Sequence, residues 1–548
     1  MQLVFAPFYR RTGMLKTVAA RAELISCALV VHCTEGIPPL ENRDCPPLRI
    51  NGVGSKVIRA ALIDSRKYRQ YNKYDRRGSR FVFENLFRRM PNMMLSEKAQ
   101  KNDIEKILKR GGFKCGCGRY HSTAVNDIVI SSGAVAHIPA LIEKHAGKKA
   151  FLISDLNTYE AAGKAVEKHL DDAGVPYAGF VFQNPRLEPD ERAVGEATLY
   201  FDNGCDIILG IGSGTVNDIG KMLAKLTGRK YIIVCTAPSM DGYASATSSM
   251  IRNGIKVSLA SVCPCAIAAD LDIISNAPAV LLQAGLGDML AKYISLCEWR
   301  ISNIITGEFY CDEIAGIVRY SLKNCISASS GLKNRDPEAV KVLIEGLILA
   351  GMAMSFAGSS RPGSGIEHYF SHLWEMRSLQ FHTPVHLHGI QCGAATVLAL
   401  QIYDFIREIK PCRQKALNYV RDFSIDSWNK FIVQFLGGGA SPLIELEKTE
   451  RKYDKQKHAE RLEVILSKWD EIQKVITEEL PQVEHVRQVL SEAGAPVSAA
   501  ELGHSGDCVR DTFIVTKDIR DKYVASRLLW DLGFLDEAGE YLKQKAQV

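Results

Sequence analysis

Five histidines crowd into the stretch from Gly363 to Gly389, and four of them, His368, His372, His386 and His388, are candidate ligands. His368 and His372 are four apart, so on a helix they share one face, one turn apart. Neutral imidazole is the commonest metal ligand. First-row divalent ions combine it with carboxylate, and a catalytic site keeps positions open for substrate. His386 and His388 follow within a helix length, and either one can join the set. Asp288, in Gly285-Leu-Gly287-Asp288-Met-Leu-Ala-Lys292-Tyr293, offers the carboxylate. Read as the start of a helix, the same Asp288 is equally a cap. An aspartate with two histidines leaves room for a hydroxyl or carbonyl oxygen.

Two turns have the composition of a ligand edge. Gly210-Ile-Gly212-Ser213-Gly214-Thr215-Val216-Asn217-Asp218 follows an apolar run and leads into a helical one. Glycines let backbone approach closely, and a helix N-terminus offers free N–H groups to phosphate. The spacing is not G-x-G-x-x-G, so a tight turn and a phosphate cradle both fit. Thr236-Ala237-Pro238-Ser239-Met-Asp241-Gly-Tyr-Ala-Ser245 closes the next apolar run with hydroxyls and one carboxylate. Asp155 closes an earlier one. A carboxylate at such a strand end can accept hydrogen bonds from a ribose, which favours NAD(H) over the 2′-phosphorylated form.

The elements that must hold these residues alternate. Strands are predicted at Asn126–Ile130, Lys149–Ser154, Tyr177–Phe182, Asp206–Gly210 and Tyr231–Cys235. Helices are predicted at Thr158–Ala173, Glu188–Phe201 and Thr215–Thr227. That pattern implies a parallel α/β sheet, with ligands at the C-terminal ends of its strands. From about Leu281 long amphipathic runs take over: Gln283–Asn303, Cys311–Ala328, Pro337–Met354, His388–Ile406, Lys448–Leu480 and Val483–Ala493. These predict an all-helical second domain. The expected organisation is a basic extension over 1–112, an α/β dinucleotide-binding domain over 113–280 and a helical metal-binding domain over 281–548. The seam near Asp272–Gln283 is a favoured place for a ligand cleft.

Composition bounds the rest. The chain has 548 residues, 46% hydrophobic and 24% charged, with net charge +6. Residues 1–112 hold 22 Lys and Arg against 10 Asp and Glu, so the remainder is mildly acidic. Nothing in that main body asks for nucleic acid. The 15 cysteines, Cys205, Cys235 and Cys297 among them, read as free thiols of a reducing compartment. Cys115-Gly116-Cys117 has no second Cys/His pair near it and reads as a surface thiol pair. No run reaches the ~18–20 apolar residues of a membrane span. Leu24–Val31 is apolar but is flanked by Arg21 and Glu23 without a cleavage site, so no signal peptide is expected. A cytoplasmic protein is the expectation.

Taken in order, the two turns, the Gly-Leu-Gly-Asp-Met-Leu-Ala-Lys-Tyr run, Ser-Arg-Pro-Gly-Ser-Gly-Ile-Glu-His-Tyr-Phe-Ser-His and His-Gly resemble the sn-glycerol-1-phosphate dehydrogenases. The likeness is nearest to the bacterial AraM type, within the iron-containing alcohol dehydrogenase and dehydroquinate synthase-like superfamily. It runs from roughly Phe113 to Asp536 and includes Ile519-Arg-Asp-Lys-Tyr523. The resemblance implies a dehydroquinate synthase-like fold and NAD(P)H-dependent interconversion of dihydroxyacetone phosphate and sn-glycerol 1-phosphate, for glycerophospholipid synthesis. It implies one divalent metal, nickel or zinc, on Asp288, His368 and His388. Asp241, Asp288 and His372 would meet the phosphorylated triose or glycerol. Asp155, Gly214, Thr215, Val216, Asn217, Asp218, Thr236, Ala237, Pro238, Ser239 and Ser245 would hold the dinucleotide. The expected assembly is a homodimer. The rival readings are a glycerol or simple-alcohol dehydrogenase, a dehydroquinate synthase-like lyase, and a non-catalytic dinucleotide-binding regulator.

Overall fold

A computed structural model of the chain describes residues 112–253 and 255–546. The basic extension expected over 1–112 lies outside them, apart from Gly112. The described residues belong to one compact unit.

Six parallel strands make the central sheet: β3 (Asp127–Ser131), β4 (Ala150–Asp155), β5 (Tyr177–Phe182), β6 (Ile207–Gly212), β7 (Lys230–Cys235) and β10 (Ala266–Asp270). They lie side by side in the order β3-β10-β7-β6-β4-β5. The inner strands are nearly continuous apolar runs, as a parallel sheet covered on both faces requires. Alternate side chains go to opposite faces. Leu152, Leu209, Ile211 and Val234 pack with Ile138 and Val166 on one side. Phe151, Ile153, Ile208 and Ile233 face the other side, where the core runs on without a break into the helical half.

From β4 the chain crosses outward to β5, then returns through β6, β7 and β10 in the opposite direction. The reversal falls between the neighbouring strands β4 and β6. Asp155 and the glycine turn therefore stand at the C-terminal ends of the two strands that flank the topological switch point, where open α/β sheets bind ligands.

Three elements depart from the expected string. An antiparallel hairpin, β8 (Thr247–Arg252) with β9 (Ile255–Ala260), and then strand β10 fill the stretch between Ser245 and the seam. Gln283–Asn303 is two helices, α1 (Ala279–Leu290) and α2 (Lys292–Thr306), with Ala291 between them. Lys448–Leu480 is broken where Arg451 turns left-handed and Asp454 caps a new helix by accepting from the N–H groups of Gln456 and Lys457. Three central helices follow the predicted pattern: α3 (Asp312–Leu332), α4 (Pro337–Ala357) and α6 (His388–Arg407); between the last two lies α5 (Ile366–Phe381), a helix outside the predicted runs that carries His368 and His372.

Among the described residues, three helical stretches are long and apolar enough to cross a membrane by length and composition: Ala279–Thr306, Pro337–Ala357 and His388–Arg407. This corrects the expectation that no stretch would qualify. All three are central to the helical half, and 89% of the most apolar window of His388–Arg407 is buried inside it. A helix surrounded by others is apolar all round.

Candidate metal and dinucleotide site

Helices α1 and α6 cross at backbone contact. A Cβ at Gly287 would lie 2.1 Å from the Gly389 carbonyl oxygen, and one at Gly389 would lie 2.0 Å from that of Ala284. Two residues back along α1, and so on another side of the helix, a Cβ at Gly285 would lie 1.9 Å from the Pro238 carbonyl of the turn after β7. Only glycine allows these approaches. Together they bring three sequence segments together: the Thr-Ala-Pro-Ser turn, Asp288 and His388. Asp288 sits near the C-terminal end of α1, so it is not that helix's N-cap; Pro278 holds that position.

Around Asp288 the groups converge, with Asp288 and His368 buried and His388 half-buried. His368 Nε2 is 3.4 Å from Asp288 Oδ1. His368 Nδ1 is 2.8 Å from Glu367 Oε1. His388 Nδ1 lies 2.9 Å from Ser371 Oγ and 3.3 Å from Glu375 Oε1. With Nδ1 engaged outward in both rings, each Nε2 lone pair is left for the centre, the outer-shell arrangement of metal-binding histidines. The ring centroids of His368 and His388 are 5.1 Å apart. Cys392 Sγ stands 3.6 Å from His388 Nε2, and the donor atoms of His368, His388 and Cys392 all lie within 4.8 Å of one another. Imidazole, carboxylate and thiolate are all zinc donors, and imidazole also suits nickel, so the residues fit a divalent ion.

Of the four candidate histidines, His386 is the one the structure leaves out. It is exposed, and its Nε2 is 3.2 Å from the Leu502 carbonyl. His372 stacks on His388 with centroids 5.3 Å apart, and its Nδ1 lies 3.6 Å from Glu375 Oε2. Burial holds His372 well below the ordinary histidine pKa; Glu375 pulls it back up in part, and the Arg520 charge adds to the depression. Its ring is therefore neutral at pH 7.

Lys292, one turn after Asp288 on the far side of the Ala291 break, is completely buried. Its Nζ lies 3.0 Å from Asp288 Oδ1 and 2.6 Å from Asp241 Oδ2, and donates to the Gly363 carbonyl at 2.9 Å. Burial would raise the Asp288 pKa, but Lys292 and His368 outweigh it and hold the carboxyl well below the usual carboxylate range. Asp241 goes the other way, raised by burial and by the Asp288 charge. The Asp241 backbone N–H donates to Asp288 Oδ2 at 2.9 Å, which ties the sheet half to the metal centre.

The dinucleotide edge assembles beside it. The N–H of Thr236 donates to the Gly212 carbonyl at 3.2 Å, placing the Thr236-Ala237-Pro238-Ser239 turn against the glycine turn. A Cβ at Gly212 would lie 2.5 Å from Val216 Cβ. Helix Gly214–Thr227 starts there with Ser213 at its cap position and no side chain accepting from its first N–H groups. Beyond Gly214 only Met240 comes near, with Thr215 following in the opening turn. Asn217 donates to the Gly242 carbonyl, while its buried Oδ1 has no partner. Open helix donors and an unsatisfied buried acceptor fit a bound pyrophosphate and its nucleotide.

Three candidates carry structural work as well. Asp155 caps a short helix, its Oδ1 accepting from the Thr158 N–H at 2.9 Å. Asp218 pairs with Lys221 at 3.0 Å and accepts from the Ser249 N–H. Ser245 Oγ lies 3.1 Å from the Gly242 carbonyl and 3.0 Å from that of Thr247, so its one O–H can donate to either, and it accepts from the buried Lys221 ammonium. Asp218 and Ser245 thus anchor the β8–β9 hairpin beside the cradle.

Residues 129–278 match the family of iron-containing alcohol dehydrogenases. The glycerol-1-phosphate dehydrogenase (NAD(P)+) of Bacillus velezensis is 32% identical over 352 residues, covering 62% of this chain and 88% of the relative. The chain belongs to the glycerol-1-phosphate dehydrogenase family. The Hyperthermus butylicus family member is 33% identical over 279 residues, 50% of this chain and 77% of its own. Among solved structures, glycerol dehydrogenase from Schizosaccharomyces pombe shares the fold, with TM-score 0.50 and 16% identity over 77% of this chain and 92% of that one.

For a glycerol-1-phosphate dehydrogenase, three neighbours of the centre escape a reading by histidine and aspartate alone. Cys392 is four residues after His388 on α6, and Lys292 is four after Asp288; both spacings are visible in the sequence. Glu375 is not signalled: it reaches His388 only because α5 and α6 fold back on each other.

Proposed function

We propose that this chain interconverts dihydroxyacetone phosphate and sn-glycerol 1-phosphate with NAD(P)H, as a homodimer, using one nickel or zinc ion on Asp288, His368 and His388. The convergence of His368 Nε2 on Asp288, which is itself bonded to the Asp241 backbone beside the dinucleotide cradle, carries this reading. When bound, a divalent ion supplies Lewis acidity toward a ketone oxygen and a reduced nicotinamide supplies hydride. The chain does the positioning. The open N-terminus of Gly214–Thr227 binds pyrophosphate, and Asp155 reads the ribose. Lys292 keeps Asp288 ionised and holds the Asp241 carboxylate in register with it. His372, neutral and buried, accepts or returns the hydroxyl proton, with Glu375 orienting its ring. Arg520, whose charge already reaches His372, is the cation for the substrate's phosphate.

Turnover followed at the nicotinamide absorbance band tests this. Oxidation of NADH or NADPH should require dihydroxyacetone phosphate, cease after chelation and return with nickel or zinc. Oxidation of glycerol without turnover of the phosphorylated ketone would identify a glycerol dehydrogenase instead. Nucleotide binding without turnover of any substrate would leave the regulator. Arg520→Met should raise KM for dihydroxyacetone phosphate about tenfold, the worth of one charge-assisted hydrogen bond, and leave the cofactor KM unchanged.

A further inference from the structure

Far along the chain from the histidine segment, a second group of metal donors forms where the described chain enters the sheet. Strands β1 (Phe113–Lys114) and β2 (Tyr120–His121) make a small antiparallel hairpin. Its turn is Cys115-Gly116-Cys117-Gly118-Arg119. The Cys115 N–H donates to the Arg119 carbonyl at 2.9 Å, and the Gly118 N–H to the Cys115 carbonyl at 3.1 Å. Gly118 has φ +86°, which a side chain would strain. The turn wraps around sulfur: the Cys117 N–H points at Cys115 Sγ, 3.4 Å away.

Into this loop comes Cys311, 196 residues beyond Cys115, from the residue before α3. Its Sγ lies 3.4 Å from Cys115 Sγ and 3.6 Å from His121 Nε2. Cys117 Sγ lies 3.2 Å from the same Nε2. The four donor atoms are all within 4.8 Å of one another, with Cys117 at the surface and the other three residues buried. His121 Nδ1 lies 2.9 Å from the Phe356 carbonyl, which fixes the proton on Nδ1 and leaves the Nε2 lone pair facing the sulfurs.

We propose that Cys115, Cys117, His121 and Cys311 form a structural zinc site, separate from the catalytic centre. Tetrahedral zinc, with Zn–S near 2.3 Å and Zn–N near 2.0–2.1 Å, separates its donors by about 3.6–3.8 Å; the measured edges lie close to that. Four protein donors close the coordination sphere, as structural zinc sites do, whereas catalytic ones keep a position open. Three thiolates and one imidazole select zinc over the harder divalent ions. A Cys115–Cys311 disulfide is the competing arrangement. It needs sulfurs near 2.05 Å apart, and it leaves unexplained why Cys117 and the His121 lone pair are aimed at the same point. Binding displaces the thiol protons, so occupancy falls in acid. The site ties the hairpin ahead of β3 to the start of α3 and, through His121, to the end of α4. It joins the hairpin that precedes the sheet to the helical half. This corrects the expectation that Cys115-Gly116-Cys117 is a surface thiol pair, since Cys115 is buried against Cys311. His121 was visible four residues on, but Cys311 was hidden by distance along the chain.

The test is metal content and ligand spectroscopy on the full chain. Elemental analysis of wild type should find one zinc in excess of the catalytic ion. The double variant Cys117→Ser/His121→Ala should lose that zinc and keep the catalytic ion, and His368→Ala should do the reverse. Zinc-edge X-ray absorption of His368→Ala protein should fit three sulfurs and one nitrogen. This second measurement holds even if the double variant does not fold. Cobalt-loaded His368→Ala protein should show an intense sulfur-to-cobalt charge-transfer band. Unchanged zinc content in a folded double variant, a sulfur-poor zinc edge in His368→Ala, or a Cys115–Cys311 disulfide in freshly isolated zinc-free protein would each overturn the proposal.

Discussion

Gly287 and Gly389 meet backbone to backbone: the Gly389 carbonyl oxygen occupies space 2.1 Å from where a Gly287 Cβ would stand. The contact sets the crossing of α1 and α6, and so the distance from Asp288 to His388. Gly287→Ala must push the helices apart. It should cost about 1–3 kcal/mol of stability, typical of overpacking, and weaken metal binding by more than it lowers stability. Urea denaturation of the metal-free protein and metal titration of the same sample give the two numbers. Equal losses in both would mean that the crossing is only packing.

The two histidines before and at the start of α6 should behave differently. His388→Ala, like His368→Ala and Asp288→Ala, removes an inward donor and should abolish metal retention and nearly all activity. His386→Ala removes only a surface bond to the Leu502 carbonyl and should leave metal content unchanged. Elemental analysis of dialysed variants decides. Metal lost from His386→Ala and kept by His388→Ala would reverse the assignment.

Asp155 is a helix cap and the proposed ribose contact, and serine separates the two. In Asp155→Ser the hydroxyl still accepts from Thr158 N–H, so the melting temperature should hold within about 1–2 °C, given the small difference between capping side chains. Repulsion of a 2′-phosphate disappears with the carboxylate. The ratio of kcat/KM for NADH over NADPH should therefore fall several-fold. An unchanged ratio in a protein of unchanged stability would mean that Asp155 acts only as a cap.

Stability should fall in acid at a definable pair. Arg361 is buried and forks Glu308 with contacts of 2.6 and 2.9 Å, and it also donates to the Tyr523 carbonyl. Burial raises the Glu308 pKa, but Arg361 overcomes it and leaves the carboxyl below its ordinary 4.5. A depressed carboxyl stabilises the fold above its unfolded pKa, and that stabilisation is lost as pH falls through the folded value. Glu308→Gln should lower stability near pH 7 by about 1–3 kcal/mol and flatten the decline below pH 4.5. Parallel acid limbs in the two proteins would show that other carboxylates govern it.

The alternating strands and helices between β3 and β7 were legible because buried parallel strands are apolar throughout and amphipathic helices repeat at 3.6 residues. The hairpin of β8 and β9 was not. Thr247–Arg252 mixes Thr, Ser, Met and Arg, and its strand character comes from pairing with its partner and from Lys221 and Asp218 holding its base. Asp288, His368 and His388 could be nominated from residue type and motif order. The separation of His388 from His386 could not, since both precede or open the same helix and differ only in where the ring points. Cys392 was available at helical spacing. Glu375 depended on the packing of two helices, which spacing within one segment does not encode.

The hydrogen bond from the Asp241 backbone to Asp288 Oδ2 has a thermodynamic consequence. Asp241 belongs to the segment that leaves β7 beside the proposed dinucleotide cradle, and Asp288 is a proposed donor at the metal centre. Whatever factor a bound ion contributes to dinucleotide affinity by steadying Asp288, the dinucleotide must return to the ion in the same measure. A chelator should then strip the metal less readily from protein saturated with nucleotide. The two cofactors of this chain are, in that sense, one another's effectors.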